Sequence, residues 1–178
     1  MLSEPKTERR EELHYLSISK TVHMHDIPDI LPPLIPEVKD WMQKRNIDAA
    51  GPDFFLYRSM NEKGELDCEA GFPVSKPVEG DERVIAGSFP AGHYASIIYT
   101  GHFKDMMQAH VALENWIREK GFIEKAHREN GRTQWGGRTE FYLVDPDFEP
   151  NPDKWQTEIV FLLEDFHAGD EAGPAQQK

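Results

Sequence analysis

The feature that most constrains this chain is an order of elements that occurs twice. In the first half, an apolar stripe of helical spacing (Ile27, Ile30, Leu31, Leu34, Ile35, Val38, Trp41, Met42) leads to Phe54-Phe55-Leu56-Tyr57. A connector and the segment Asp67-Cys68-Glu69-Ala70-Gly71-Phe72 follow. In the second half, Met106, Ala109, His110, Leu113 and Ile117 mark one helix face. They lead to Glu140-Phe141-Tyr142-Leu143 and, after a connector, to Gln156-Thr157-Glu158-Ile159-Val160-Phe161. Each half thus ends in an aromatic-rich strand and then a strand carrying one Glu among apolar neighbours. Residues identical between the halves are few, but periods switching from 3.6 to 2 in the same order predict two modules of one plan.

A strand precedes each helix. Leu13–Val22 alternates Tyr15, Ser17 and Ser19 against Leu16, Ile18 and Lys20, and His93–Thr100 opens the second half. Arg83–Phe89 reads as a strand bridging the two. Pro32, Pro33 and Pro36 fit only near a helix start, where amide donors lack partners, so the first helix is expected from about Pro33 to about Asn46. The second is expected from about Lys104 to Lys120, with Gly121 as its cap. A polar loop through Gly131 and a strand at Arg138–Val144 complete the reading. The fold class is therefore α+β, with duplicated β-α-β-β modules at about 13–76 and 83–164, related by a pseudo-two-fold. Residues 1–12 and 165–178 carry few apolar side chains and are expected to be flexible.

Charge narrows the partners. Thirty-two acidic against 20 basic residues give a formal net charge of −12, which repels phosphate backbones, and no basic patch offsets it, so no nucleic-acid partner is expected. One cysteine excludes an internal disulfide and any multi-Cys zinc site. The pair His23 and His25 lacks a third ligand, so no metal or cofactor is expected. Met1–Glu12 has no apolar core of a secretory signal, and no apolar run approaches the ~18 residues of a membrane span. A cytoplasmic location without membrane contact is expected. Nucleophile and phosphate-loop motifs are absent.

Two carboxylates stand out. Glu158 lies among apolar neighbours in TEIVFLL, and Glu140 shares a strand face with Tyr142, two residues on. An ionised carboxylate in such surroundings is costly unless it is paired, hydrogen-bonded or met by a ligand. Tyr57, Tyr94, Tyr142 and Trp155 bring polar atoms on aromatic bodies, and Phe54 adds a ring. Rings around a carboxylate suit a bulky lipophilic cation.

The segments Pro90-Ala91-Gly92-His93-Tyr94-Ala95 and Tyr99-Thr100-Gly101-His102, with the ending Glu140-Phe141-Tyr142-Leu143, Asp145-Pro146 and Trp155-Gln156-Thr157-Glu158-Ile159, resemble the GyrI-like small-molecule-binding family. That family includes gyrase-inhibitory proteins and the effector domains of multidrug regulators. The resemblance spans about Leu13–Glu164. It implies a curved antiparallel sheet with helices on one side and a ligand cleft between modules, where an acidic residue among aromatics takes up hydrophobic compounds. Glu140, Tyr142, Trp155 and Glu158 match its Glu-x-Tyr and Trp-x-x-Glu strands. Phe54, Tyr57 and Tyr94 are secondary site candidates. No DNA-binding segment precedes residue 13, which implies a stand-alone binder of small hydrophobic, cationic or amphipathic molecules. The alternatives are a hydrolase of strained, cyclopropane-bearing compounds, with Glu158 or Glu140 as general base and Tyr142 as acid, and a gyrase-inhibitor-like role toward a protein partner.

Overall fold

The computed structural model describes residues 1–166. In chain order the elements are β1 (Lys6–Arg10), β2 (Leu13–His23), α1 (Ile27–Ile30), α2 (Leu34–Gln43), β3 (Phe54–Asn61), β4 (Glu65–Val74), β5 (Ile85–Phe89), β6 (Gly92–Thr100), α3 (Met106–Lys120), β7 (Ala126–Glu129), β8 (Arg132–Tyr142) and β9 (Gln156–Leu162). Their contacts divide into two compact units. One, the α2 unit, holds Glu11–Pro90 and Ala126–Thr139; the other, the α3 unit, holds Met1–Arg10, Ala91–Lys125 and the chain from Glu140 onward.

The α2 unit is an antiparallel sheet in which β4 pairs with β3 on one side and β2 on the other, and β2 also pairs with β5. Helix α2 buries Leu34, Val38 and Met42, at four-residue steps along the apolar stripe of the sequence, and lies on β4 and β2. Pro33 stands at its N-cap, as expected, and the short α1 precedes it. Between β3 and β4 the register shifts around Arg58, a bulge that sets this side chain out of the regular alternation.

In the α3 unit, β6 pairs with β1 and β9, all antiparallel. Ala95, Ile97 and Tyr99 of β6 and Ile159 and Phe161 of β9 pack on Ala109, Leu113 and Ile117 of α3. Gly121, in the left-handed region at φ 79°, ends α3 as the sequence predicts. Among the described residues no helix is long and apolar enough to cross a membrane, and no group of three or more His, Cys, Asp or Glu could hold a metal ion.

Three sequence expectations need revision. Residues 1–12, expected to be flexible, contain β1, whose Lys6–Arg10 pair residue for residue with Ser96–Gly92. Its charge belongs to an edge strand, where Lys, Arg and Glu block further pairing, and is not a sign of mobility. The polar loop through Gly131 is a β7–β8 hairpin turning on Asn130 and Gly131, both at positive φ (52° and 73°). Asn-Gly is the pairing that such a two-residue turn requires, and it extends β8 back to Arg132. Of the C-terminal segment 165–178, Phe166 packs against Phe122 at 4.9 Å and His93 at 4.2 Å between ring centroids. The expectation for residues 167–178 lies outside the described residues.

Candidate functional site

The strand registers bring carboxylates and tyrosines together by the same rule in both units. In the α2 unit Glu69 lies opposite Ser19, and Tyr15 stands four residues upstream on the same strand. In the α3 unit Glu158 lies opposite Ile98, and Tyr94 stands four residues upstream. Side chains two and four apart share a strand face, so each unit carries a Glu and a Tyr on one side of its own sheet. In the α3 unit that side is opposite the one α3 covers, because the alternate residues Ala95, Ile97, Ile159 and Phe161 meet the helix.

Glu69 is held at both of its carboxylate oxygens. It is 5% exposed. Its Oε1 accepts from the Tyr15 hydroxyl at 2.9 Å and the Ser17 hydroxyl at 2.7 Å, and its Oε2 accepts from Arg58 Nε at 2.5 Å. Arg58 Nη2 also donates to the Tyr15 oxygen at 2.5 Å. Rings wall this group: Tyr15 lies 5.1 Å from Phe54 and 4.8 Å from Phe89 between centroids. Burial first, then the Glu69 charge, pushes the Tyr15 phenol well above its ordinary value. Burial pulls Arg58 down, but its interactions with Tyr15 and Glu69 outweigh it and leave its pKa raised, so the guanidinium stays charged.

Glu158 is met by the N-terminal strand. Arg10 Nη2 donates to Glu158 Oε2 at 2.9 Å and to Glu8 Oε1 at 2.6 Å, and Nε donates to the same Glu8 oxygen at 2.8 Å. The guanidinium carbon stands 5.8 Å from the centre of the Tyr94 ring. Burial pushes the Tyr94 phenol up to about 12, with the Arg10 charge pulling against it. Burial also raises Glu8, yet the Arg10 hydrogen bond and charge, with Lys6, leave it below its ordinary value.

Glu140 has a different setting. It is 6% exposed. Its Oε2 lies 2.6 Å from His110 Nε2 on α3, and its Oε1 accepts from the Tyr142 hydroxyl at 2.6 Å. Because it meets α3, Glu140 is on the helix side of its unit, whereas Glu158 is on the other. Phe103 joins this group, edge-on to Tyr142 at 5.5 Å and stacked on Trp155 at 4.6 Å. The Trp155 indole donates to the Glu149 carbonyl at 2.7 Å.

The structure thus brings together Glu140, Tyr142 and Trp155 in one group and Glu158 and Tyr94 in another. Phe54 belongs to the Glu69 group, while Tyr57, opposite Cys68 in the ladder, faces away from it. Glu69, with Tyr15, Ser17 and Arg58, is absent from the site residues that the sequence points to. The sequence carries a signal for it, since the expected order of elements in the two halves aligns Glu69 with Glu158. The sequence places His110 on the apolar face of the second helix, and its pairing with Glu140 appears only in the tertiary contact.

The family model of the GyrI-like small-molecule-binding domain matches residues 3–164. Among solved structures, the C-terminal domain of EcmrR superposes with a TM-score of 0.73 at 18% identity, over 92% of this chain and 98% of that one. EcmrR in complex with DNA gives the same score and identity, and the present chain spans 58% of its length. SAV2435 bound to tetraphenylphosphonium matches with a TM-score of 0.60 at 10% identity, over 91% and 94% of the two chains. A hydrolase from Listeria innocua matches with a TM-score of 0.57 at 13% identity, over 90% and 92%. At these identities the likeness is one of fold. No curated protein matches the chain. An α+β chain whose strands and helices follow this plan, matched by the family model over nearly its whole length, belongs to the GyrI-like small-molecule-binding domain family.

Proposed function

We propose that the protein binds small hydrophobic molecules of cationic or amphipathic character, using strand carboxylates as charge partners and strand aromatics as the apolar wall. The observation that carries this reading is Glu69, nearly fully buried beside the ring cluster of Tyr15, Phe54 and Phe89. Stability alone favours apolar side chains at such a position, because a buried ion pair rarely gains more than its desolvation costs. A charge kept there among rings suits an apolar cation, which gains ring-face and ionic contacts together. Glu158 with Tyr94 offers the same chemistry in the α3 unit.

The test is thermal denaturation with tetraphenylphosphonium, the compound bound by SAV2435. At ~100 times its dissociation constant a ligand adds about 2.7 kcal/mol, a rise in Tm of roughly 5–11 °C for a chain of this size. Glu69→Gln and Glu158→Gln report which carboxylate takes part. The reading falls if neither this cation nor other lipophilic cations shift the wild type.

A second reading, hydrolysis, is favoured by the group His110, Glu140 and Tyr142, in which both Glu140 oxygens are held at 2.6 Å. In this group Glu140 is the candidate general base and Tyr142, half-buried and hydrogen-bonded to it, the candidate acid. Turnover of strained cyclopropane-bearing or ester substrates that is lost in Tyr142→Phe supports it; absence of turnover across such a panel removes it.

A further inference from the structure

Glu69 already has a cation. Arg58 Nε donates to its Oε2 at 2.5 Å and Arg58 Nη2 to the Tyr15 oxygen, while the carboxylate's other oxygen accepts from the Tyr15 and Ser17 hydroxyls. A cationic ligand drawn to Glu69 therefore meets a guanidinium of the chain at the position it needs. The two partners differ sharply in exposure: the Arg58 side chain is 41% exposed and that of Glu69 is 7% exposed. The carboxylate is fixed in place and the arginine has a path to water. Arg58 also sits at the bulge between Tyr57 and Ser59, out of the strand's regular register, so the ladder does not dictate its direction.

Arg10 has a different hold. It grips two carboxylates at once, Glu8 and Glu158, and its side chain is 27% exposed. Releasing it would strand two acids rather than one. Arg10 ties β1 to two carboxylates, whereas Arg58 is the more exposed of the two arginines and holds one carboxylate.

We infer that Arg58 is a built-in competitor for the cationic ligand at Glu69, and that it sets which cations the station accepts. The inference rests on the proposed ligand-binding reading and adds its selectivity. A small hydrophilic cation brings nothing that Arg58 does not already supply, and it pays the added cost of releasing the arginine. A lipophilic cation brings apolar surface to Tyr15, Phe54 and Phe89 and so outcompetes a guanidinium. The ligand class is a cation carrying aromatic or bulky apolar groups. When a site is open for only a fraction of the time, the apparent dissociation constant rises by the inverse of that fraction; a station vacated by Arg58 about a tenth of the time or less binds about tenfold or more weakly than an open one.

The experiment is titration calorimetry of the whole chain, as wild type, Arg58→Gln, Arg58→Lys and Arg83→Gln, with three probes. Tetraphenylphosphonium is the lipophilic cation, triphenylphosphine oxide its neutral relative and tetramethylammonium the small cation. Arg83→Gln removes the same charge from an exposed pair with Glu37 and controls for net charge. The expected result is that Arg58→Gln binds tetraphenylphosphonium about tenfold or more tightly than wild type, with the neutral probe unchanged. Tetramethylammonium should bind measurably only in that variant. Arg58→Lys, which keeps the charge but cannot span Glu69 and Tyr15 with one planar fork, should gain less and in the same direction, and it serves if Arg58→Gln does not fold. If wild type binds the cation and neither variant gains, Arg58 is not a competitor, while the binding function stands. An equal gain for the neutral probe makes Arg58 a steric plug and overturns the charge competition. If neither wild type nor either Arg58 variant binds any cation, both the competition and the cation-binding reading fall.

Discussion

The Tyr15 hydroxyl reaches the Glu69 carboxylate across 54 positions of sequence to a hydrogen bond of 2.9 Å. That bond joins β2 to β4 on the face where Phe54 and Phe89 close around the ring. It makes the position of the charge depend on the position of the ring, so whatever moves Tyr15 also disturbs Glu69.

Gly87 tests this dependence. Tyr15 lies opposite Gly87 in the ladder, and a Cβ there would come within 2.5 Å of the Tyr15 ring. Gly87→Ala should push the ring off its seat and loosen the hydroxyl from Glu69, with a stability loss of about 1–3 kcal/mol, as is usual for overpacking. Near-ultraviolet circular dichroism and urea unfolding check the two effects. A variant that matches wild type in both would show that Tyr15 is free to shift without cost.

His110 and Glu140 offer a measurement of buried polar pairing. His110→Leu removes one of the hydrogen bonds to a carboxylate that remains in the interior. Hydrogen bonds to charged groups are worth about 1.5–3 kcal/mol, so the melting temperature should fall by roughly 3–12 °C. His110→Gln, which keeps an N–H to offer, should recover part of the loss. Equal melting for the Leu and Gln variants would assign the effect to volume and not to the bond.

Alkali should find the two raised phenols. Tyr94 ionises near pH 12 in the folded protein, against about 10 when unfolded, and Tyr15 is displaced in the same direction. A group whose folded pKa is raised contributes stability that is complete below the unfolded pKa and is lost as pH rises through the folded one. Stability should therefore hold to about pH 10 and decline from there toward pH 12. Chemical unfolding across that window, with Tyr94→Phe as comparison, checks it. The variant should show the shallower decline, and a parallel curve would remove Tyr94 as a contributor.

The N-terminal strand should behave as structure. Residues Lys6–Arg10 pair with β6, and Arg10 carries the contacts to Glu158 and Glu8. Hydrogen exchange should find protected amides in this strand, and removing residues 1–10 should destabilise the protein, since Glu158 then loses its guanidinium. Arg10→Gln should give a part of that loss. Rapid exchange throughout residues 6–10 would return the segment to a loose end.

Much of the fold is legible in the sequence alone, because the signals are local. The apolar stripes of α2 and α3, the prolines before Leu34 and the glycine after Lys120 each act within a few residues. Glu69 and Glu158 each lie opposite a residue four places past a tyrosine. Two further local signals carry structure that the sequence reading assigns to loose chain: the charges of β1 mark an edge strand, and Asn130-Gly131 marks a hairpin.

What the sequence could not decide was which side chains meet. Glu140 and Glu158 look alike in sequence, each among apolar neighbours on a strand. Glu140 meets His110 on a helix and Glu158 meets Arg10 on an edge strand. The physical reason is that strand alternation fixes only that neighbouring residues face opposite sides, while the side a helix covers is set by packing. The choice of Arg58 as partner for Glu69 depends on a one-residue bulge, a local change in the ladder with no reliable mark in composition or period. Sequence determined which elements form and in what order. Tertiary structure decided which carboxylate meets which cation, because those pairings join residues that only the ladders and the packed helices bring within reach.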